Sequence, residues 1–153
     1  FSIKTNDPRL TDKLSDNYIK CYVSLKKSNN RVKYINPDEY NTTNSCQTWK
    51  VVTPRAAYGA GSGFHDIFIG KPNELCNQSY IFFEVNNEIE ANSLKSYLET
   101  TFANHMLSIR KISQDISGNT CKWIPLVPLD RTWDDKKIKE YFKFSNDQEK
   151  LYL

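Results

Sequence analysis

The first half of the chain alternates in polarity, and the second half repeats every three or four residues. Tyr18–Leu25 places Ile19, Cys21, Val23 and Leu25 on one side of an extended segment, which predicts a strand. Lys26–Asn30 reads as a turn, and Arg31–Ile35 as the second strand of a hairpin. Asn36–Cys46 is a polar loop containing Pro37. Trp49–Thr53 predicts a third strand, stopped by Pro54. Tyr58–Phe64 is the most glycine-rich stretch and predicts the most flexible loop. Asp66–Gly70 follows as a short strand ending in a Gly-Lys-Pro-Asn turn. Ser79–Val85 (SYIFFEV) is the strongest strand pattern, and its near-continuous apolar run predicts burial on both faces.

The periodicity then changes. Ala91, Leu94, Tyr97, Leu98, Phe102 and Met106 recur at helical spacing, behind Asn86 or Asn87 as a cap and Glu90 in capping-box position. One helix is predicted to about Ile109, with a bend near Ala103-Asn104. Gln114–Thr120 reads as a polar loop, and Lys122–Val127 as an edge strand because of its proline. Thr132–Asp135 opens a short helix with Ile138, Tyr141 and Phe142 on one side. Ser145 with Gln148 begins another. No repeat or linker divides the sequence. The expectation is a single α+β domain over residues 1–153, with a mixed or mostly antiparallel sheet, one long helix and short C-terminal helices. The first residue is not Met and the last helix is cut short, so the chain reads as a piece of a longer protein.

Length and composition fit that picture. At 153 residues and 39% hydrophobic content the chain can bury a core, and wholesale disorder is excluded. No run approaches the roughly 18 apolar residues of a membrane helix, and no signal peptide is visible, so a cytoplasmic protein without a membrane partner is expected. Cys21, Cys46, Cys76 and Cys121 are too widely spaced for a zinc cage. They are expected to be reduced and at least partly covered, although two disulfides remain open on count alone. The net charge of +3 is mild, but its distribution is uneven. Residues 1–83 carry 11 basic and 7 acidic groups, whereas 84–99 carry Glu84, Glu88, Glu90 and Glu99 against Lys95. Residues 105–123 are basic again, with Arg110, Lys111 and Lys122 against Asp115. One face can therefore meet phosphates while another stays in water.

Three constellations carry candidate chemistry. Gly59–Gly63, with Ser62, has the unshielded amides of a phosphate cradle, but it lies between two predicted strands and does not open a helix. A loop that orders on a partner and a plain connector both fit, and His65 stands beside it. A restriction-type nuclease centre would need Pro-Asp followed by Asp/Glu-x-Lys. Pro37-Asp38 is present, but the matching Asp135-Lys136-Lys137 is distant and on a predicted helix. His105 lies near the apolar helix face and reads as a packing residue. Third, Ser108–Gln114 (SIRKISQ) gathers cations, hydroxyls and an amide where the main helix ends. Such groups bind phosphates and read base edges, and equally suit a solvated helix end whose cations face the negative dipole. Lys50 and Arg55 have the same two readings.

WKVVTPRAAYG, SYIFFEV, NEIEANSLKSYLETTFANHMLSIRKISQDI and CKWIPLVPLDRTWDDKKIKEYFKFSNDQEKLYL together resemble the C-terminal target-recognition region of adenine-specific DNA methyltransferases of type II restriction–modification systems, some of which are fused to an endonuclease. The resemblance covers residues 47–153, and more faintly the FSIKTN start. It implies a module that reads a short sequence of double-stranded DNA for a catalytic methyltransferase domain of the same parent chain. That domain would use S-adenosylmethionine and flip the target adenine from the duplex. The Asn/Asp-Pro-Pro-Tyr/Phe motif of such a domain is missing here, so no catalytic residue and no cofactor are expected in this fragment. The resemblance assigns no base contacts position by position. From residue type and loop placement, Lys50, Arg55, Lys111 and Lys122 are expected to neutralise phosphates. Arg110, Gln114 and Asn119 are expected to read bases, and Ser62 and His65 in the glycine-rich loop are expected to contact DNA without an assigned role. Two other readings stay open: a magnesium-dependent endonuclease domain, and a protein-interaction module of a restriction–modification complex.

Overall fold

The computed structural model describes residues 3–23, 32–40, 44–56 and 63–153. The predicted turn at Lys26–Asn30 and most of the glycine-rich loop, including Ser62, lie outside them. Among the described residues six strands form two three-stranded sheets, and helices fill the second half of the chain, an α+β fold.

The first sheet has the order β2-β1-β5. β1 (Ile19–Tyr22) pairs antiparallel with β2 (Val32–Ile35), as the hairpin pattern predicts, and parallel with β5 (Glu74–Cys76). Cys21, Val23, Ile35 and Leu75 pack beneath it with Ile3, Tyr40 and Cys46. The second sheet has the order β4-β3-β6 and is wholly antiparallel. β3 (Trp49–Pro54) lies between β4 (Phe68–Gly70) and β6 (Tyr80–Val85). Four consecutive β3 residues, Lys50–Thr53, are buried, so the strand covered on both faces is β3. β6 was expected to hold that place, but it is an edge strand. Ile81, Phe83 and Val85 turn inward, while Phe82 and Glu84 are exposed. Apolar content alone does not distinguish a central strand from an edge strand with an aromatic outer face.

The predicted long helix is two. α1 (Glu88–Leu98) is capped by Asn87, whose side chain accepts from the Glu90 amide at 2.9 Å. The Glu90 carboxylate reaches back to the Asn86 amide at 2.9 Å. α2 (Thr101–Arg110) begins anew at Thr100. The Thr100 hydroxyl donates to the Tyr97 carbonyl at 2.7 Å and accepts from the Ala103 amide at 3.2 Å. One side chain thus closes α1 and caps α2, which moves the break to Thr100 from the bend expected at Ala103-Asn104. Asp135 fixes the corner, accepting from the Thr101 amide at 2.8 Å and the Thr101 hydroxyl at 2.6 Å.

Lys122–Val127, predicted as a strand, pairs with no strand among the described residues. It follows the single helical turn α3 (Gly118–Cys121) and runs beside α1. Pro125 and Pro128 have no amide to donate, and their carbonyls go to side chains: Tyr97 Oη donates to Pro125 at 2.6 Å and Trp133 Nε1 to Pro128 at 3.0 Å. α4 (Asp135–Phe142) is capped by Asp134 and stops at Lys143, which takes the left-handed conformation. α5 (Asn146–Tyr152) starts on the predicted Ser145–Gln148 capping box. Phe102, Phe142, Phe144 and Tyr152 form one aromatic cluster joining these helices to α2. No described helix is long and apolar enough to cross a membrane.

Candidate nucleic-acid interface

The two segments expected to contact DNA meet. β3 ends at Pro54, and the next residue, Arg55, bonds on both sides of its backbone. Its amide donates to the Ser79 carbonyl at 2.8 Å, and its carbonyl accepts from the Ile116 amide at 2.7 Å. Ala56 and Asp115 form an antiparallel bridge. Arg55 Nε also donates to Asp115 Oδ1 at 3.0 Å, with both side chains about half exposed. Ile116 is fully buried against Leu107 of α2, so the segment after α2 is pinned to the end of β3 by a core residue.

The far end of the glycine-rich loop docks at the same place. The Phe64 amide donates to Asn104 Oδ1 at 2.6 Å, and the Thr53 hydroxyl donates to the His65 carbonyl at 3.1 Å. Asn104 Nδ2 is itself held, donating to the carbonyls of Leu98 and Thr100 at 3.0 and 2.8 Å. A side chain on Gly63 would meet Asn104 Oδ1 at 1.9 Å, so this glycine is required by close approach. Next to this contact lies an open cleft of about 430 Å³ lined by Gly63, Glu99, Thr101, Asn104, His105 and Ser108. The His105 ring packs edge-on against Tyr152 at 5.6 Å, the packing role its position suggested.

Not every expected contact residue reaches this surface. Lys50 is 2% exposed, and its ammonium donates to the carbonyls of Thr48, Glu74 and Lys71 at 2.8, 2.9 and 3.3 Å. It stitches β3 to the turn before β5 and is out of reach of a phosphate. Burial lowers its pKa from the usual lysine value. Lys111 is also buried, at 3% exposure, and desolvation lowers its pKa too. Both were read as phosphate contacts from their charge, and both are corrected to interior positions. His65 is half-buried, with Nε2 3.0 Å from the Ala56 carbonyl, so it braces the loop base.

Arg55, Arg110, Gln114, Asn119 and Lys122 are exposed. Arg110 ends α2, Asn119 lies in α3, and Lys122 follows it. The Arg110 guanidinium lies over the Trp123 ring, 3.9 Å from its centroid. Trp123 is 48% exposed and had been given no role of its own. The one available signal was an aromatic next to Lys122 in the chain, which does not reveal that α3 folds back onto the end of α2.

Other chemistry is poorly supported by the geometry. Asp38 lies on a 3-10 turn, Pro37–Glu39, next to Tyr40 of the first core, whereas both carboxylate oxygens of Asp135 are engaged by Thr101. The four cysteines are unbridged. Burial pushes Cys76 and Cys121 up to about 11 and Cys21 up to about 12, which suits inert thiols. Among the described residues no group of His, Cys, Asp and Glu could hold a metal ion. Comparison with protein-family models, with curated proteins and with solved structures finds no match.

Proposed function

We propose that this chain is the DNA target-recognition module of a restriction–modification adenine methyltransferase. It presents a double helix to a separate catalytic domain, which would carry the methyl-transfer chemistry and the S-adenosylmethionine, in the cytoplasm. The observation that carries the reading is the union of Arg55 and Ala56, at the end of β3, with Asp115 and Ile116 after α2. The Ala56–Asp115 bridge joins segments far apart in sequence into one ledge at Arg55, and Arg110, Gln114, Asn119 and Lys122 are exposed along the second of these segments. Exposed cations beside exposed amides are what a surface needs to hold phosphates while reading base edges. The sequence resemblance supplies the class of parent enzyme.

The test is a salt titration of duplex binding, followed by fluorescence anisotropy. Arg55→Ala and Lys122→Ala are each expected to reduce the slope of log K against log salt by about one unit. Lys50→Met and Lys111→Met are expected to leave it unchanged. A wild-type slope near zero refutes the reading. It would favour a protein-interaction module, to which the exposed Ile112 (93%) and Leu126 (94%) are also suited.

A further inference from the structure

Resting on the DNA reading, we propose that Trp123 is a positioning residue that holds Arg110 as a ready-made reader of guanine. The guanidinium centre stands 3.9 Å from the indole centroid, close enough for face-on contact. With its centre over the ring, the guanidinium has one side committed to the indole while Arg110 as a whole stays exposed. Among the described residues no carbonyl or carboxylate accepts a hydrogen bond from its N–H groups, and Asp115, the one acid between Arg110 and Trp123 in the chain, is engaged by Arg55. The result is a planar, exposed group of donors with no acceptor among the described residues.

The platform beneath it is rigid. α3 is closed by a capping box, with the Ser117 amide donating to Thr120 Oγ1 at 2.9 Å. The Lys122 amide donates to Gly118 at 3.1 Å and the Ile124 amide to Cys121 at 3.0 Å, so Trp123 is held on both sides by backbone hydrogen bonds. Arg110 sits at the last residue of α2, whose C-cap, Lys111, is buried. Both partners of the stack therefore project from fixed backbone. An arginine held this way has lost much of its rotamer freedom before any ligand arrives, so less is lost on binding.

Such a group needs two acceptors side by side in its own plane. In a major groove, guanine offers them as O6 and N7. A phosphate also offers two oxygens, and the experiment separates the two. The full 153-residue chain is used to select binders from a library of randomised duplexes. The wild type is expected to enrich a motif containing an invariant guanine. Arg110→Ala and Trp123→Ala should each reduce discrimination at that one position by about tenfold or more, with other positions and the salt slope retained. Trp123→Phe should restore most of it, which a mere loss of local structure would not allow. Placing 7-deazaguanine at the position should weaken the wild type and leave Arg110→Ala unaffected.

Retention of the guanine preference by Trp123→Ala would overturn the positioning role. Uniform weakening of all sequences by Arg110→Ala, with the salt slope reduced by about one unit, would make Arg110 a phosphate contact and overturn the proposal while DNA binding stands. A wild-type chain that binds no duplex and enriches no motif would remove the DNA reading itself, and this proposal with it.

Discussion

Replacing Lys50 by methionine removes an ammonium that satisfies three backbone carbonyls at once and keeps most of the side chain's length. The cost follows from the site. A hydrogen bond from a charged donor contributes about 1.5–3 kcal/mol net, and a buried carbonyl left without a donor costs about 1–3 kcal/mol. Lys71 is an exposed residue, so its carbonyl can turn to water. The carbonyls of Thr48 and Glu74, bonded at 2.8 and 2.9 Å, belong to half-buried residues. Losing those two bonds would cost about 3–6 kcal/mol, offset by relief from burying a charge, which burial has already made less basic. A net loss of ~2 kcal/mol is expected. Urea unfolding measures it, because with a slope near 2 kcal/mol/M the midpoint should fall by about 1 M. If the methionine variant unfolded at the same or higher urea, the ammonium would not be holding the two sheets together, and its interior role would be wrong.

Gly63→Ala should cost ~1–3 kcal/mol, since Asn104 cannot withdraw without giving up its bonds to Phe64, Leu98 and Thr100. Thermal unfolding would read this, and an unchanged midpoint would refute the close approach. Stability should also fall on the alkaline side. Thiols of the unfolded chain ionise near 9.0, whereas in the fold Cys76 and Cys121 hold their protons to about 11 and Cys21 to about 12. The folded state therefore binds more protons between pH 9 and 11, and the stability present below pH 9 is lost as pH rises at up to about 1.4 kcal/mol per pH unit for each thiol. Lys50 opposes this, because its lowered pKa relieves a burial cost as it deprotonates. Urea midpoints from pH 8 to 11 should fall steeply, and a Cys21→Ala/Cys76→Ala double variant should show a shallower decline. A flat wild-type profile would contradict thiol burial.

What was legible in the sequence is what local pattern determines. Ile19, Cys21 and Val23 alternate because β1 has one buried face, and Asn87, Asp134 and Ser145 cap helices by contacts three residues long. What was hidden depends on distant partners. β5 is three residues long and exists as a strand by pairing with β1 across more than fifty positions. Lys50 falls on the face of β3 opposite Val51, a solvent-like position in an isolated strand, and it is covered through Thr48, the turn at Lys71 and the start of β5 at Glu74. The break at Thr100 was hidden by the unbroken apolar periodicity through Phe102 and Met106, since α2 continues the same buried side after it.

The same distinction governs the candidate site. Arg55 and Asp115 form a half-exposed ion pair, and such pairs contribute only about 0–1 kcal/mol. The pair is therefore not what joins the two loops. The Ile116 amide on the Arg55 carbonyl does that, together with the Ile116 side chain, buried beside Leu107. Position is set by backbone and core, and charge is left loosely committed on top. Under the proposed reading, a phosphate arriving at this ledge could take Asp115's place as the partner of Arg55 at little cost, because nothing in the ledge's geometry depends on the pair it displaces. A surface built this way can exchange an internal partner for a nucleic-acid one without refolding.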